Sequence, residues 1–297
     1  MNKYVLSLKD SIFAWFSMNC PNESDALDKE SKIWLIRLNH VGLGCFRPLL
    51  MSAYLKNYSH KTDLVKACER YRFLVINVSE RRSNTNDSCF YRLAHEYYSD
   101  NNKEDLTKVV SEKTTEWTQI RNFVDNAKDR YEHRQGFYSW RGIRYFLYEY
   151  EKWLQDNRNI KVNWEIFEQN QGDKISIEHV FPQKSTDTYW KDRFKNENLL
   201  HSLGNLLLLS KSKNSELQND SFDKKKKTVH SETGRIVYDG YDEGSYSELE
   251  VAKEAEWNPE SIEKRGRRLI KFLKEHWDLE DEFTEDDIEK LLNLSGK

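Results

Sequence analysis

The residues best able to do chemistry stand close together: Ile177-Glu178-His179-Val180-Phe181-Pro182-Gln183, then Leu203-Gly204-Asn205-Leu206-Leu207-Leu208-Leu209-Ser210, then Asn214. Glu178 and His179 are consecutive polar residues closing an apolar run, a position that costs free energy unless they are paired or liganded. A carboxylate oxygen suits a hard divalent cation such as Mg²⁺ or Mn²⁺, and a neutral imidazole suits general-base work near pH 7. Pro182 stops the run three residues after His179 and fixes how the chain leaves it. Asn205 and Asn214 lie nine residues apart, on either side of a second apolar run. One could brace the histidine loop while the other completes the oxygen shell of a metal.

Such a constellation needs short strands to carry it. Ile175, Ile177, Val180 and Phe181 form one β-like run, and Leu203 to Leu209, opened by Gly204, forms a second. Asn214 to Val229 reads as helical, and Gly234, Gly240 and Gly244 mark a turn-rich stretch suited to a hairpin or exposed loop. Asn258-Pro259 is a helix start with Pro at the first helical position, and the helix runs through Ile262, Leu269, Ile270, Leu273 and Trp277. A short final helix follows Thr284. The first 170 residues read as mostly helical: Ser31 to Tyr58, broken by Gly42, Gly44 and Pro48, then Asp63 to Val78, Phe90 to Tyr98, Glu104 to Phe123 and Trp140 to Leu154. The expected fold is mainly α with a small β-hairpin. A boundary near residue 170 separates a helical scaffold or coupling domain, 1–170, from the chemistry-bearing domain with its C-terminal helices, 171–297.

Composition agrees with a helical chain. Gly and Pro make up about 5% of the 297 residues, against roughly 12% in average usage, which argues against a many-turned β-sandwich or a Gly/Pro-rich disordered chain. Cys20, Cys45, Cys68 and Cys89 form no CxxC pair and read as reduced thiols. With neither a secretory leader nor a run of about 18 apolar residues, the expectation is a soluble, cytoplasmic protein. The net charge of −3 gives no global sign of a nucleic-acid binder. Locally the balance differs, for residues 184–230 hold ten Lys/Arg against six Asp/Glu, and residues 239–261 hold eight acids against Lys253 alone. This asymmetry favours phosphate contact by Lys224, Lys225 and Lys227, with Lys224 the strongest individual candidate. His133, His201, His230 and His276 lack sequence partners and read as surface or core histidines, although His201 lies close enough to the motif to stand behind it.

Together, Glu178-His179-Val180-Phe181-Pro182-Gln183, Leu203-Gly204-Asn205-Leu206, Asn214 and Phe222-Asp223-Lys224-Lys225 resemble the HNH, or His-Me finger, nucleases, and most closely the C-terminal nuclease domain of GmrSD-type, modification-dependent restriction enzymes. The resemblance implies a ββα-metal fold and metal-dependent phosphodiester hydrolysis. His179 would deprotonate a water. Glu178 and Asn214 would hold Mg²⁺ or Mn²⁺ against the scissile phosphate, and Asn205 would hold the histidine loop, with Pro182 and Gln183 in support. It further implies a DNA endonuclease, a nickase or double-strand cutter, of a bacterial anti-phage restriction system. Its substrate would be DNA, with modified phage DNA the implied target. Many HNH nucleases carry Asp where Glu178 stands, which leaves direct or water-mediated metal contact open. GmrSD-type proteins usually begin with a nucleotidase domain marked by Asp-Gly-Gln-Gln-Arg, a string missing here, so such a sensor is expected in the same or a separate chain. The alternatives are a non-catalytic DNA- or partner-binding subunit of a defence complex and an RNA-cleaving toxin.

Overall fold

The computed structural model describes residues 2–100, 104–156, 175–184, 187–195 and 198–294. Contacts divide the chain into two units, 1–123 and 124–297. The change of sequence texture near residue 170 lies outside the described residues, and the contact division falls well before it.

The first unit is helical: α1 Asn2–Asn19, α2 Lys29–Val41, α3 Phe46–Leu55, α4 Lys61–Tyr71, α5 Asp87–Tyr98 and α6 Leu106–Trp117. Asp28 caps α2 by accepting from the Ser31 N–H at 2.8 Å, and Asp105 caps α6 by accepting from Thr107 and Lys108. Gly42, at a φ of 102°, ends α2 in backbone space that other residues rarely enter. Beyond Tyr71, α4 widens into a π-turn over Arg72–Val78, whose apolar side chains are buried. The core closes around Phe46, Tyr71 and Phe90, whose ring centroids lie 4.7–5.4 Å apart. The stretch expected as one helix over 104–123 is broken where Thr118 takes extended backbone, and α7 then runs Ile120–His133, across the division between the units.

The second unit continues with α8 Ile143–Asp156, β1 Ile175–His179, α9 Thr188–Arg193, β2 Leu206–Ser210, α10 Lys211–Leu217 and α11 Phe222–Lys226. A small hairpin, β3 Val229–His230 with β4 Ile236–Tyr238, precedes α12 Tyr246–Ala252, α13 Pro259–His276 and α14 Glu285–Leu291. The expected helix over 214–229 is two short helices, because Gln218 turns to a φ of 35° between them. β1 and β2 pair antiparallel with Glu178 opposite Leu207 and His179 opposite Leu206. All four leucines of β2 are buried, so the hydrophobic term fixes its place.

Two long-range details explain why this unit starts upstream of the strands. Glu151 on α8 accepts from the backbone N–H of Tyr246 and, at 2.9 Å, of Ser247, so that α8 supplies the start of α12 with its acceptor. The Tyr131 hydroxyl on α7 donates to the Leu291 carbonyl at 2.9 Å. At the other end, α13 runs against the turn at 203–205, where a Cβ on Gly204 would lie 2.0 Å from the Ile262 carbonyl oxygen. Only glycine fits there. Asn258 caps α13 through Ser261 N–H, with Pro259 at the first helical position.

Candidate active site

His179 ends β1 and is 4% exposed. Its loop is held from behind by Asn205, which is fully buried and uses every hydrogen-bonding position of its amide. Asn205 Oδ1 accepts from Phe181 N–H at 2.8 Å and from the Trp257 indole N–H at 3.0 Å. Its Nδ2 donates to the carbonyls of Phe181 at 3.0 Å and Leu200 at 2.8 Å. The backbone joins in, Val180 N–H donating to Asn205 O at 3.0 Å. A side chain so fully satisfied has no hydrogen-bonding position left for a substrate, so its role is to brace the loop.

Around the imidazole stand three side chains. Gln183 Nε2 lies 3.1 Å from His179 Nδ1, and His201 Nδ1 lies 3.0 Å from His179 Nε2. The Tyr138 ring packs on His179 at a centroid distance of 4.6 Å. Burial, reinforced by His201 and Lys225, pushes the His179 imidazole down to about 3, so it is neutral throughout the physiological range. Pro182 is buried and Gln183 is exposed, so the loop turns outward at Gln183.

Glu178 sits on the opposite face of β1, as the two-residue alternation of a strand requires. Lys225 Nζ donates to Glu178 Oε1 at 2.6 Å, and also reaches the carbonyls of Val180 at 3.3 Å and His179 at 3.4 Å. Both side chains are buried. Burial pushes the carboxyl up and the ammonium down, with the attraction between them opposing each shift. Lys225, expected to meet DNA phosphate, is therefore an internal brace under the end of β1. Its spacing carries the signal: Lys225 follows Phe222 by three residues, which places it on the buried face of α11.

Asn214, on α10, donates through Nδ2 to Ser176 Oγ at 2.8 Å. Ser176 and Glu178 alternate along one face of β1, so Asn214 stands on the carboxylate's side of the strand. The donors that would hold a metal are the Asn214 amide oxygen and the second oxygen of Glu178. Both are hard oxygens, fitting Mg²⁺ or Mn²⁺ in kind. Among the described residues no group of three or more His, Cys, Asp or Glu side chains could hold a metal. Any cation here would rest on this carboxylate–amide pair.

The lysine run divides by exposure. Lys224 is exposed and pairs with Asp220 at 2.8 Å, Lys227 is exposed, and Lys226 donates to the Glu254 carbonyl at 3.1 Å. The neighbouring acidic stretch takes up further basic groups, since buried Lys213 pairs with Glu248 at 2.5 Å and Asp239 at 2.9 Å. Part of the local charge contrast in the sequence is thus spent inside the unit.

The model of the C-terminal domain of GmrSD restriction endonucleases matches residues 122–272. The chain belongs to this family. The match begins within α7 and ends in α13, so the GmrSD C-terminal domain takes in α8 and the whole constellation around His179. Membership in a restriction endonuclease family makes this a nuclease domain whose substrate is DNA. No curated protein and no solved structure matches the chain. No helix among the described residues is long and apolar enough to cross a membrane. Tyr138 and Trp257 join the GmrSD site although nothing local to the motif points to them, and Lys225 joins it as a brace rather than as the expected phosphate contact. They come from α11 or from loops 41–78 residues away from His179 in the chain.

Proposed function

We propose that the domain hydrolyses DNA phosphodiesters by general-base catalysis, with His179 taking the proton from the attacking water, in a cytoplasmic restriction system acting against foreign, modified DNA. The observation that carries the reading is the state of His179: buried, neutral and fixed in place by the Asn205 brace. A base must have an unprotonated lone pair at the working pH and must not swing away from its water, and this arrangement supports both conditions. Mg²⁺ or Mn²⁺ held by Glu178 and Asn214 would supply positive charge for the leaving 3′ oxygen. Lys225 keeps Oε1 occupied, so Oε2 is the oxygen that such a cation would take. Lys224 and Lys227 lie exposed beside the site and suit the DNA backbone. A nucleotidase or sensor partner, in this chain or another, would decide which DNA is presented.

Plasmid nicking with Mg²⁺ or Mn²⁺, modified and plain DNA side by side, tests this. His179→Ala, folded like the wild type, should lose cleavage, and chelation of the cation should do the same. Retained cleavage by His179→Ala would remove His179 as the base. Tight DNA binding with no cleavage of any DNA by the wild type would instead favour a non-catalytic binding subunit, and cleavage confined to RNA would favour a toxin.

A further inference from the structure

His201 lies 22 residues from His179 in the chain, yet its Nδ1 stands 3.0 Å from His179 Nε2. The contact is built rather than incidental. The His201 carbonyl accepts from Phe137 N–H at 3.0 Å. Gly136, at a φ of 47°, lets the two stretches approach: a Cβ there would sit 2.7 Å from that carbonyl oxygen. Tyr138, two residues on, packs against His179 at 4.6 Å and against His201 at 6.0 Å. One short turn, Gly136–Ser139, thus fixes the His201 backbone and holds both rings.

The protons can then be assigned. An amide nitrogen donates and never accepts, so Gln183 Nε2 at 3.1 Å requires a bare lone pair on His179 Nδ1. With Nδ1 bare, the ring proton of His179 is on Nε2, and it is donated to His201 Nδ1. We propose that His201 is the positioning residue of the nuclease site: by accepting the Nε2 proton of His179 it selects the tautomer whose Nδ1 lone pair, on the side of exposed Gln183, acts as the base. A water arriving at Nδ1 takes the place of the Gln183 amide and gives its proton to a nitrogen already oriented. The inference rests on His179 being the base, as proposed above.

The test uses the full chain with ¹⁵N-labelled histidine. In the wild type, long-range ¹H–¹⁵N spectra should show His179 protonated on Nε2 and bare on Nδ1. His201→Phe, which keeps a ring but removes the acceptor, should give a mixed tautomer and lower kcat in plasmid nicking roughly 10- to 100-fold, with KM within about twofold. His201→Asn, whose amide oxygen can accept the same proton, should restore most of the loss and the tautomer. A wild-type His179 protonated on Nδ1 would overturn the proposal, as would His201→Phe cleaving at the wild-type rate. Should the wild type cleave nothing, the tautomer of His179 in the wild type and in His201→Asn still decides. Cleavage surviving in His179→Ala is a different result, which removes the base assignment itself.

Discussion

A carboxylate and an ammonium buried against each other are worth less to stability than their closeness suggests, but removing one of them is expensive. Lys225→Met should therefore destabilise the protein by roughly 3–5 kcal/mol, because Glu178 is left charged in an apolar setting. The double variant Lys225→Met with Glu178→Gln should recover much of that loss in urea unfolding, and equal losses in single and double variants would speak against the pairing. The residue types at this site were legible in the sequence: Glu178, His179, Asn205 and Asn214 stand out by polarity beside apolar runs. What each one touches was not. Four successive lysines show nothing of their directions until α11 is placed, and then Lys225 turns inward while Lys224 and Lys227 stay exposed. Tyr138 was illegible for another reason, since its approach to His179 depends on the turn at Gly136 and on no local pattern, whereas the closeness of His201 to the motif was legible and its partner was not.

At the scale of elements, the strands and the long C-terminal helix follow from local rules, the leucine run and the Asn258-Pro259 start above all. Their mutual placement depends on single contacts. Gly204→Ala should force the 203–205 turn away from α13 and cost about 1–3 kcal/mol, read as a lower urea midpoint with unchanged m-value. Glu151 also makes stability depend on pH. Burial, opposed by the hydrogen bonds from Ser247 and Tyr246, pushes its carboxyl up from an ordinary 4.5 to about 7. Between these values the folded protein holds a proton that the unfolded chain releases, so stability falls as pH rises from about 4.5 through about 7. Glu151→Gln should flatten the thermal midpoint over that window, and a slope unchanged by the substitution would show that other groups carry it. The break at Thr118 was missed in the sequence because Glu104 to Phe123 contains neither Gly nor Pro.

For the molecule as a whole, net charge says little about function, and even the local contrast between basic and acidic stretches is partly taken up by internal pairs such as Lys213 with Glu248. The cations left exposed are the ones that can meet phosphate. Lys227→Gln should weaken DNA binding equally for all sequences and lower the salt dependence by about one unit of slope, measured by titration at several salt concentrations. An unchanged slope would place the DNA elsewhere. The bond from Glu151 to the start of α12 also bears on how such a nuclease can be exchanged between proteins. A graft or recombination event that cut the chain where its texture changes, near residue 170, would carry off both strands and the histidine while leaving α8 behind. The transplanted piece would keep the Ser245 cap of α12 but leave the Tyr246 and Ser247 N–H groups without their acceptor, and it would have no Tyr138 beside His179. A cassette that keeps these contacts includes α7, whose Tyr131 reaches Leu291, so the shuffling of these nucleases among hosts should respect a junction ahead of α7.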